Sequence, residues 1–226
     1  MPFTKGNQLW KVRKNTVLPI HRSANIGLEP SSEQWQLIVG GVLGDGCLVR
    51  EEPQHNVYFT CAGTNRDYMI WKASILQSLC KLEQPRTKFR LPPRKTMYEV
   101  LTSRLSTLTD LYPLCYDNGK KMVSFELLDL VEPLALAIWF MDDGTLVKSR
   151  SSRPGSSARY ALYTQSFGLE GNRLLVDFLQ SRFDIEAKIY RDAGDTYLSI
   201  GVESGRLFRN IIEPYVVPSM YYKLDC

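Results

Sequence analysis

Residues 37–46, LIVGGVLGDG, and residues 135–144, ALAIWFMDDG, are apolar runs of helical length that both stop at Asp-Gly, placing Asp45 and Asp143 98 residues apart. A carboxylate at a helix C-terminus opposes the macrodipole, where Lys, Arg or His would be favoured. Paying that cost twice at matching places points to a bound cation that offsets it. A repeat of this period in a 226-residue chain also constrains the fold to two similar halves.

The order of features around the two runs is the same. Pro30, then Ser31 with Gln34 three residues on, predict a capping box for the first helix. Pro133 suits the first turn of the second. After each Asp-Gly come a polar loop, an alternating strand (57–61 and 160–164) and a helix. Tyr68, Trp71, Ile75 and Leu79 are expected to form the apolar face of one of these helices, and Leu174, Leu175, Phe178, Leu179 and Phe183 that of the other. Paired strands follow at 88–91 with 97–102 and at 188–191 with 197–202, and Ser103 and Ser204 are expected to cap the next helices. Each half closes on a proline and then lysine: Pro113 before Lys120 and Lys121, Pro214 before Lys223. The reading is α+β, with a basic N-terminal arm at 1–30, a first half at 31–128 and a second at 129–226, related by a pseudo-twofold axis.

Gly40, Gly41 and Gly44 weaken the first helix by roughly 1 kcal/mol each relative to Ala, which close backbone contact would explain. Ala135 and Ala137 let the second helix approach, and the pair would carry Asp45 and Asp143 to one place. Two adjacent carboxylates repel, so one stays protonated unless a cation compensates. Oxygen donors without histidine or cysteine suit Mg²⁺, with Mn²⁺ the alternative. The chemistry served best is metal-assisted attack of water on a phosphodiester, with Lys121 and Lys223 polarising the water and offsetting transition-state charge. The order Asp-Gly-Cys and Asp-Gly-Thr lacks the Asp-Thr/Ser-Gly pattern of an aspartic protease, and His21 and His55 accompany no nucleophile.

The net charge is only +4, but its distribution is uneven. Lys5, Lys11, Arg13, Lys14 and Arg22 precede any acid; Lys81, Arg86, Lys88, Arg90, Arg94, Lys95 and Arg104 face two glutamates; Lys148, Arg150, Arg153 and Arg159 have no acid among them. Such runs suit a polyanion. The basic N-terminal segment fits either an arm along a duplex or an organellar transit sequence. Five scattered cysteines without a Cys-x-x-Cys pair indicate neither a disulfide framework nor a zinc site, and the apolar runs are too short for a bilayer, so an intracellular protein without membrane partners is expected. Whether it works in a mitochondrion, a chloroplast or a bacterial or archaeal cytoplasm stays open.

These residues resemble the LAGLIDADG homing endonucleases, in the single-chain branch with two motifs: 38–46 and 136–144 fall on the motif's nine positions, and Trp-Phe-Met-Asp-Asp-Gly, the Thr-Gln-Ser-Phe at 164–167 and the Pro-x-Met-x-Tyr-Lys-Leu at 218–224 recur in one subgroup. The likeness covers about residues 33–224. It implies two αββαββα halves, a central two-helix interface and saddle-shaped antiparallel sheets over the DNA major grooves. It implies a monomer that cuts both strands of a long, specific site. Asp45 and Asp143 would bind the metal, Lys121 and Lys223 match the family's basic active-site residues, and Asp142 occupies a non-catalytic slot. Ala62 stands where some relatives carry a polar active-site residue, with Gln165 its polar counterpart in the second half. The saddle assigns DNA contacts to Arg86, Lys88, Arg90, Arg94, Lys148, Arg150, Arg153, Arg159, Lys188 and Tyr190. The alternatives are an intron maturase, whose partner would be host intron RNA, and a DNA-binding protein of this fold that does not cleave.

Overall fold

The computed structural model describes residues 28–90, 93–147, 158–192 and 195–224. The chain opens on α1 (Ser32–Leu43), β1 (Cys47–Val49), β2 (Tyr58–Gly63), α2 (Arg66–Ile75), β3 (Arg86–Lys88), β4 (Met97–Leu101) and α3 (Ser106–Cys115). A hairpin of β5 (Tyr116–Asp117) and β6 (Lys120–Lys121) and a short α4 (Phe125–Asp129) lead into α5 (Pro133–Asp143). The order then repeats as β7 (Gly144–Val147), β8 (Arg159–Tyr163), α6 (Gly168–Phe183), β9 (Ala187–Asp192), β10 (Asp195–Ile200) and α7 (Val202–Ile212). The two four-stranded antiparallel sheets have the same strand order, β1-β2-β4-β3 and β7-β8-β10-β9. This is the pseudo-symmetric α+β fold that the repeat implies.

Helices α1 and α5 form the centre. Ser31 and Gln34 make the capping box that starts α1: the Gln34 amide donates to Ser31 Oγ at 3.3 Å and the Ser31 amide to Gln34 Oε1 at 3.0 Å. Pro133 takes the first turn of α5, whose N-cap, Glu132, gives no side-chain bond. Gln36 of α1 supplies one instead, accepting from the Glu132 amide at 3.0 Å and donating to the Leu130 carbonyl at 3.0 Å. A Cβ added at Gly40 would lie 2.4 Å from the Ala135 carbonyl oxygen, so the helices touch backbone to backbone there. One at Gly44 would lie 2.5 Å from Asp142 Cβ. Gly41 does not serve this interface. It and Gly46 make room for the Phe59 ring of β2, so the glycines of α1 divide between the partner helix and the sheet.

The remaining differences from expectation have local causes. The buried face of α2 is Tyr68, Met69, Lys72 and Ala73 rather than one centred on Trp71. Ser103 caps nothing, because α3 begins after Leu105, two residues further on; its amide donates to the Leu79 carbonyl instead. Ser204 lies inside α7, which starts at Val202 with Gly201 as its N-cap, and its Oγ accepts from the Glu186 amide. No helix among the described residues is long and apolar enough to cross a membrane.

Candidate active site and nucleic-acid interface

Both acids stand at the same end of the central helix pair. Asp45 follows Gly44, the C-cap of α1, in a tight turn in which the Gly46 amide reaches back to the Gly41 carbonyl at 2.7 Å. Its residue is open to solvent. Asp143 is the last residue of α5. Lys121, on the β5–β6 hairpin turned by Asn118 and Gly119 at positive φ, donates to the Gly44 carbonyl at 2.6 Å. Lys223, in the 3-10 turn Pro218–Lys223, donates to the Met141 carbonyl at 2.6 Å and the Asp142 carbonyl at 3.1 Å. Gly44 and Asp142 each immediately precede an acid, so each lysine answers the orphan carbonyls of one motif helix. Lysine at a helix C-terminus is what the macrodipole favours, and here it comes from elsewhere in the chain.

The electrostatics tie these groups into one cluster. Burial, then the charges of Asp45 and Asp142, push Asp143 up to about 7, with Lys121 and Lys223 opposing. Although part of Asp45 is open to solvent, the desolvation of the rest, and then Asp142, raise it, against Lys72, Lys223 and Lys121. Burial lowers both Lys121 and Lys223, and the surrounding carboxylates offset part of this.

Beneath the cluster lies a group the sequence did not single out. Lys72 Nζ donates to both Asp142 oxygens, at 2.7 and 3.0 Å, and the Tyr68 hydroxyl donates to Asp142 Oδ1 at 2.9 Å. Both ion-pair side chains are 1% exposed. Burial is the largest influence and would lower Lys72, but Asp142, with smaller contributions from Cys61 and Asp45, more than offsets it and the ammonium is held above its ordinary range. The legible signal is Lys72 itself, a charge on the otherwise apolar face of α2 and one turn from Tyr68. Gln165 is exposed in the 3-10 turn Gln165–Phe167, and among the described residues no hydrogen bond or ion pair joins it to the acids or lysines.

The sheets turn one face to the helices, through Phe59 and Cys61 in β2 and Tyr160 and Leu162 in β8. The opposite face carries the other register. On the first sheet it holds Arg86 and Lys88, paired in register with Glu99 and Met97, and Lys88 Nζ bonds Glu99 Oε1 at 2.6 Å. Strand β3 ends at Lys88, so Arg90 lies beyond the sheet and Arg94 in the turn before β4, both exposed. On the second sheet this face holds Arg159, Tyr163, Lys188, Tyr190, Tyr197 and Ser199. Lys148, Arg150, Arg153 and the basic segment up to residue 27 lie outside the described residues.

A family model described as the LAGLIDADG DNA endonuclease family matches residues 35–208. A protein named Protein RecA from Mycolicibacterium flavescens is 32% identical over 205 residues, which are 86% of this chain and 47% of that protein, so the chain spans about half the length of that relative. The Cytochrome b mRNA maturase bI2 of Debaryomyces hansenii is 26% identical over 203 residues, covering 85% of this chain and 73% of the maturase. Among solved structures, the homing endonuclease I-WcaI bound to its DNA recognition sequence aligns with a TM-score of 0.79 at 23% identity, over 88% of each chain, which shows a shared fold.

Proposed function

Because the chain belongs to the LAGLIDADG DNA endonuclease family, we propose that it is a site-specific, divalent-metal-dependent endonuclease that cuts double-stranded DNA as a monomer. The observation that carries this reading is the set of two acids and two lysines gathered at the end of one helix pair: Asp45 and Asp143, with Lys121 held on the Gly44 carbonyl and acting most on Asp143, and Lys223 held on the Met141 and Asp142 carbonyls and acting more on Asp45 than on Asp143.

The donor set fits a hard cation. Among the described residues no group of three or more His, Cys, Asp or Glu could hold a metal ion. Two carboxylates would leave the remaining positions to water and phosphate oxygens, as Mg²⁺ prefers. The upward shift of Asp143, driven by burial and then by Asp45, gives the site a reason to accept positive charge. Mg²⁺ or Mn²⁺ held by Asp45 and Asp143 would supply Lewis-acid stabilisation of the attacking and leaving oxygens. Lys121 and Lys223 have ammonium hydrogens left after their helix bonds, and these orient water and offset charge on the phosphate. The helix-free faces of the two sheets would lie against the major groove, with Arg86, Lys88, Arg159, Lys188 and Tyr190 as contacts.

The test is selection of cleaved sites from a random duplex library in Mg²⁺, with Ca²⁺ as a binding control. Asp45→Asn and Asp143→Asn are expected to bind the selected DNA and to leave it uncut; cutting by both at the parent rate would refute the metal assignment. The similarity to the mRNA maturase supports a second reading in which intron RNA is also a partner. A splicing assay with purified protein and the intron that encodes it separates the two.

A further inference from the structure

The second sheet carries an arginine held by two hydroxyls and two aromatic rings. Arg159 Nη1 donates to Ser199 Oγ at 3.3 Å and Nη2 to the Tyr197 hydroxyl at 3.2 Å. Its guanidinium carbon lies 5.2 Å from the Tyr190 ring centre and 5.8 Å from that of Tyr197. The rings of Tyr190 and Tyr197 are themselves stacked, 5.9 Å apart at 19°. Ser199 and Tyr197 are 6% and 9% exposed, so the groups that grip the guanidinium have little freedom of their own. Among the described residues no carboxylate pairs with Arg159, and two of its five donor hydrogens are used.

An arginine that only neutralises a phosphate has no need of such a mount, since a flexible charge does that as well. A guanidinium bonded to two hydroxyls and set beside two aromatic rings offers a fork of restricted direction, the geometry that guanine O6 and N7 accept in the major groove. The outward face of the first sheet has no equivalent among the described residues: Arg50, which lies 5.1 Å from the Tyr112 ring centre, sits past the end of β1 and has no hydroxyl bond there to set its direction. Arg159 pairs in register with Val147 as Tyr58 does with Val49, so Tyr58 occupies its place. Glu99, which occupies the place of Tyr197, is bound to Lys88.

We propose that Arg159, mounted by Tyr197, Ser199 and Tyr190, reads one guanine in the half-site under the second sheet and that the first half has no such reader. Arg159 is the specificity-determining residue and Tyr197 a positioning residue. The inference rests on the DNA-cleaving reading above and adds which base class is read and by which side chain.

Site selection from a random duplex library, run side by side on the parent protein, Arg159→Lys and Tyr197→Phe, tests it. The parent is expected to enrich guanine at one position of one half-site. Arg159→Lys keeps the charge yet should lose that preference by about 10- to 100-fold, with the rest of the profile intact. Tyr197→Phe removes one hydroxyl and should weaken the same position alone. An unchanged profile in Arg159→Lys, or a loss spread evenly over all sequences, would overturn the proposal and leave the nuclease reading standing. Failure of the parent to select any site would overturn both.

Discussion

Lys72 and Asp142 lie 70 residues apart in sequence and form a 2.7 Å ion pair from which solvent is excluded, joining α2 of the first half to the central helix of the second. Desolvating two charges consumes most of what their attraction returns, whereas removing one partner leaves the other stranded. Lys72→Met is therefore expected to lower stability by about 3–5 kcal/mol. Adding Asp142→Asn should restore a good part of that loss, because the stranded charge is gone and Tyr68 keeps a partner. Urea denaturation of the single and double variants measures it, and equal losses in the two would contradict the assignment.

Asp143 gives the protein a pH dependence of definite sign. Its folded value of about 7 lies above the ordinary 3.8, so between those values the folded state keeps a proton that the unfolded state has released. In the absence of metal, stability should fall as pH rises through that window, and the raised Asp45 acts in the same direction. A divalent cation held by Asp45 and Asp143, as proposed, would remove that penalty by binding the ionised pair. The rise in thermal midpoint on adding Mg²⁺ should accordingly be larger at pH 8 than at pH 5, and Asp143→Asn should flatten both effects. A Mg²⁺ effect independent of pH would count against the paired acids as its source.

Gly40→Ala should destabilise the protein although alanine is the better helix former by about 1 kcal/mol. The new methyl would meet the Ala135 carbonyl oxygen at 2.4 Å and Ile138 Cβ at 2.9 Å, and two packed helices can absorb that only by moving apart. Overpacking of this kind costs about 1–3 kcal/mol. Thermal or chemical denaturation decides the sign, and a gain in stability would show that the interface is looser than described.

Lys120 and Lys121 are neighbours on one hairpin and separate structure from chance. Lys121 reaches the Gly44 carbonyl, while Lys120 is exposed. Lys121→Met is expected to slow cleavage by about 10²-fold, the order seen when one transition-state donor is removed, with DNA binding kept. Lys120→Met should leave the rate nearly unchanged. Single-turnover cleavage of a selected site measures both, and equal effects would remove Lys121 from its proposed role.

The parts of this molecule that follow local rules were readable from the chain. The Ser31–Gln34 box, Pro133 at the start of a helix and the alternation around Phe59 and Tyr160 are each set by neighbours a few residues away. Contacts between distant segments were not readable in the same way. Nothing local tells that Gly41 serves a phenylalanine of the sheet while Gly40 serves a helix about a hundred residues on, or that Lys72 is neutralised by Asp142. Ser103 and Ser204 have the chemistry of caps, but one helix begins only after Leu105 and the other already at Val202, so the first serine falls short of its helix and the second lies within it. The pairing of Asp45 with Asp143 was anticipated because the repeat itself carried it. The mount around Arg159 was not, since Ser199 and Tyr197 come from a strand that the sequence presents only as alternating.

Strand order is common to the two sheets, whereas the side chains on their outward faces are not: charge paired with charge on one, a braced arginine among tyrosines on the other. A duplicated scaffold whose two surfaces have diverged is freed from palindromes. On the proposed function, the DNA site it would address needs no internal dyad, and either arm of that site could drift while the other is still met by an unaltered surface.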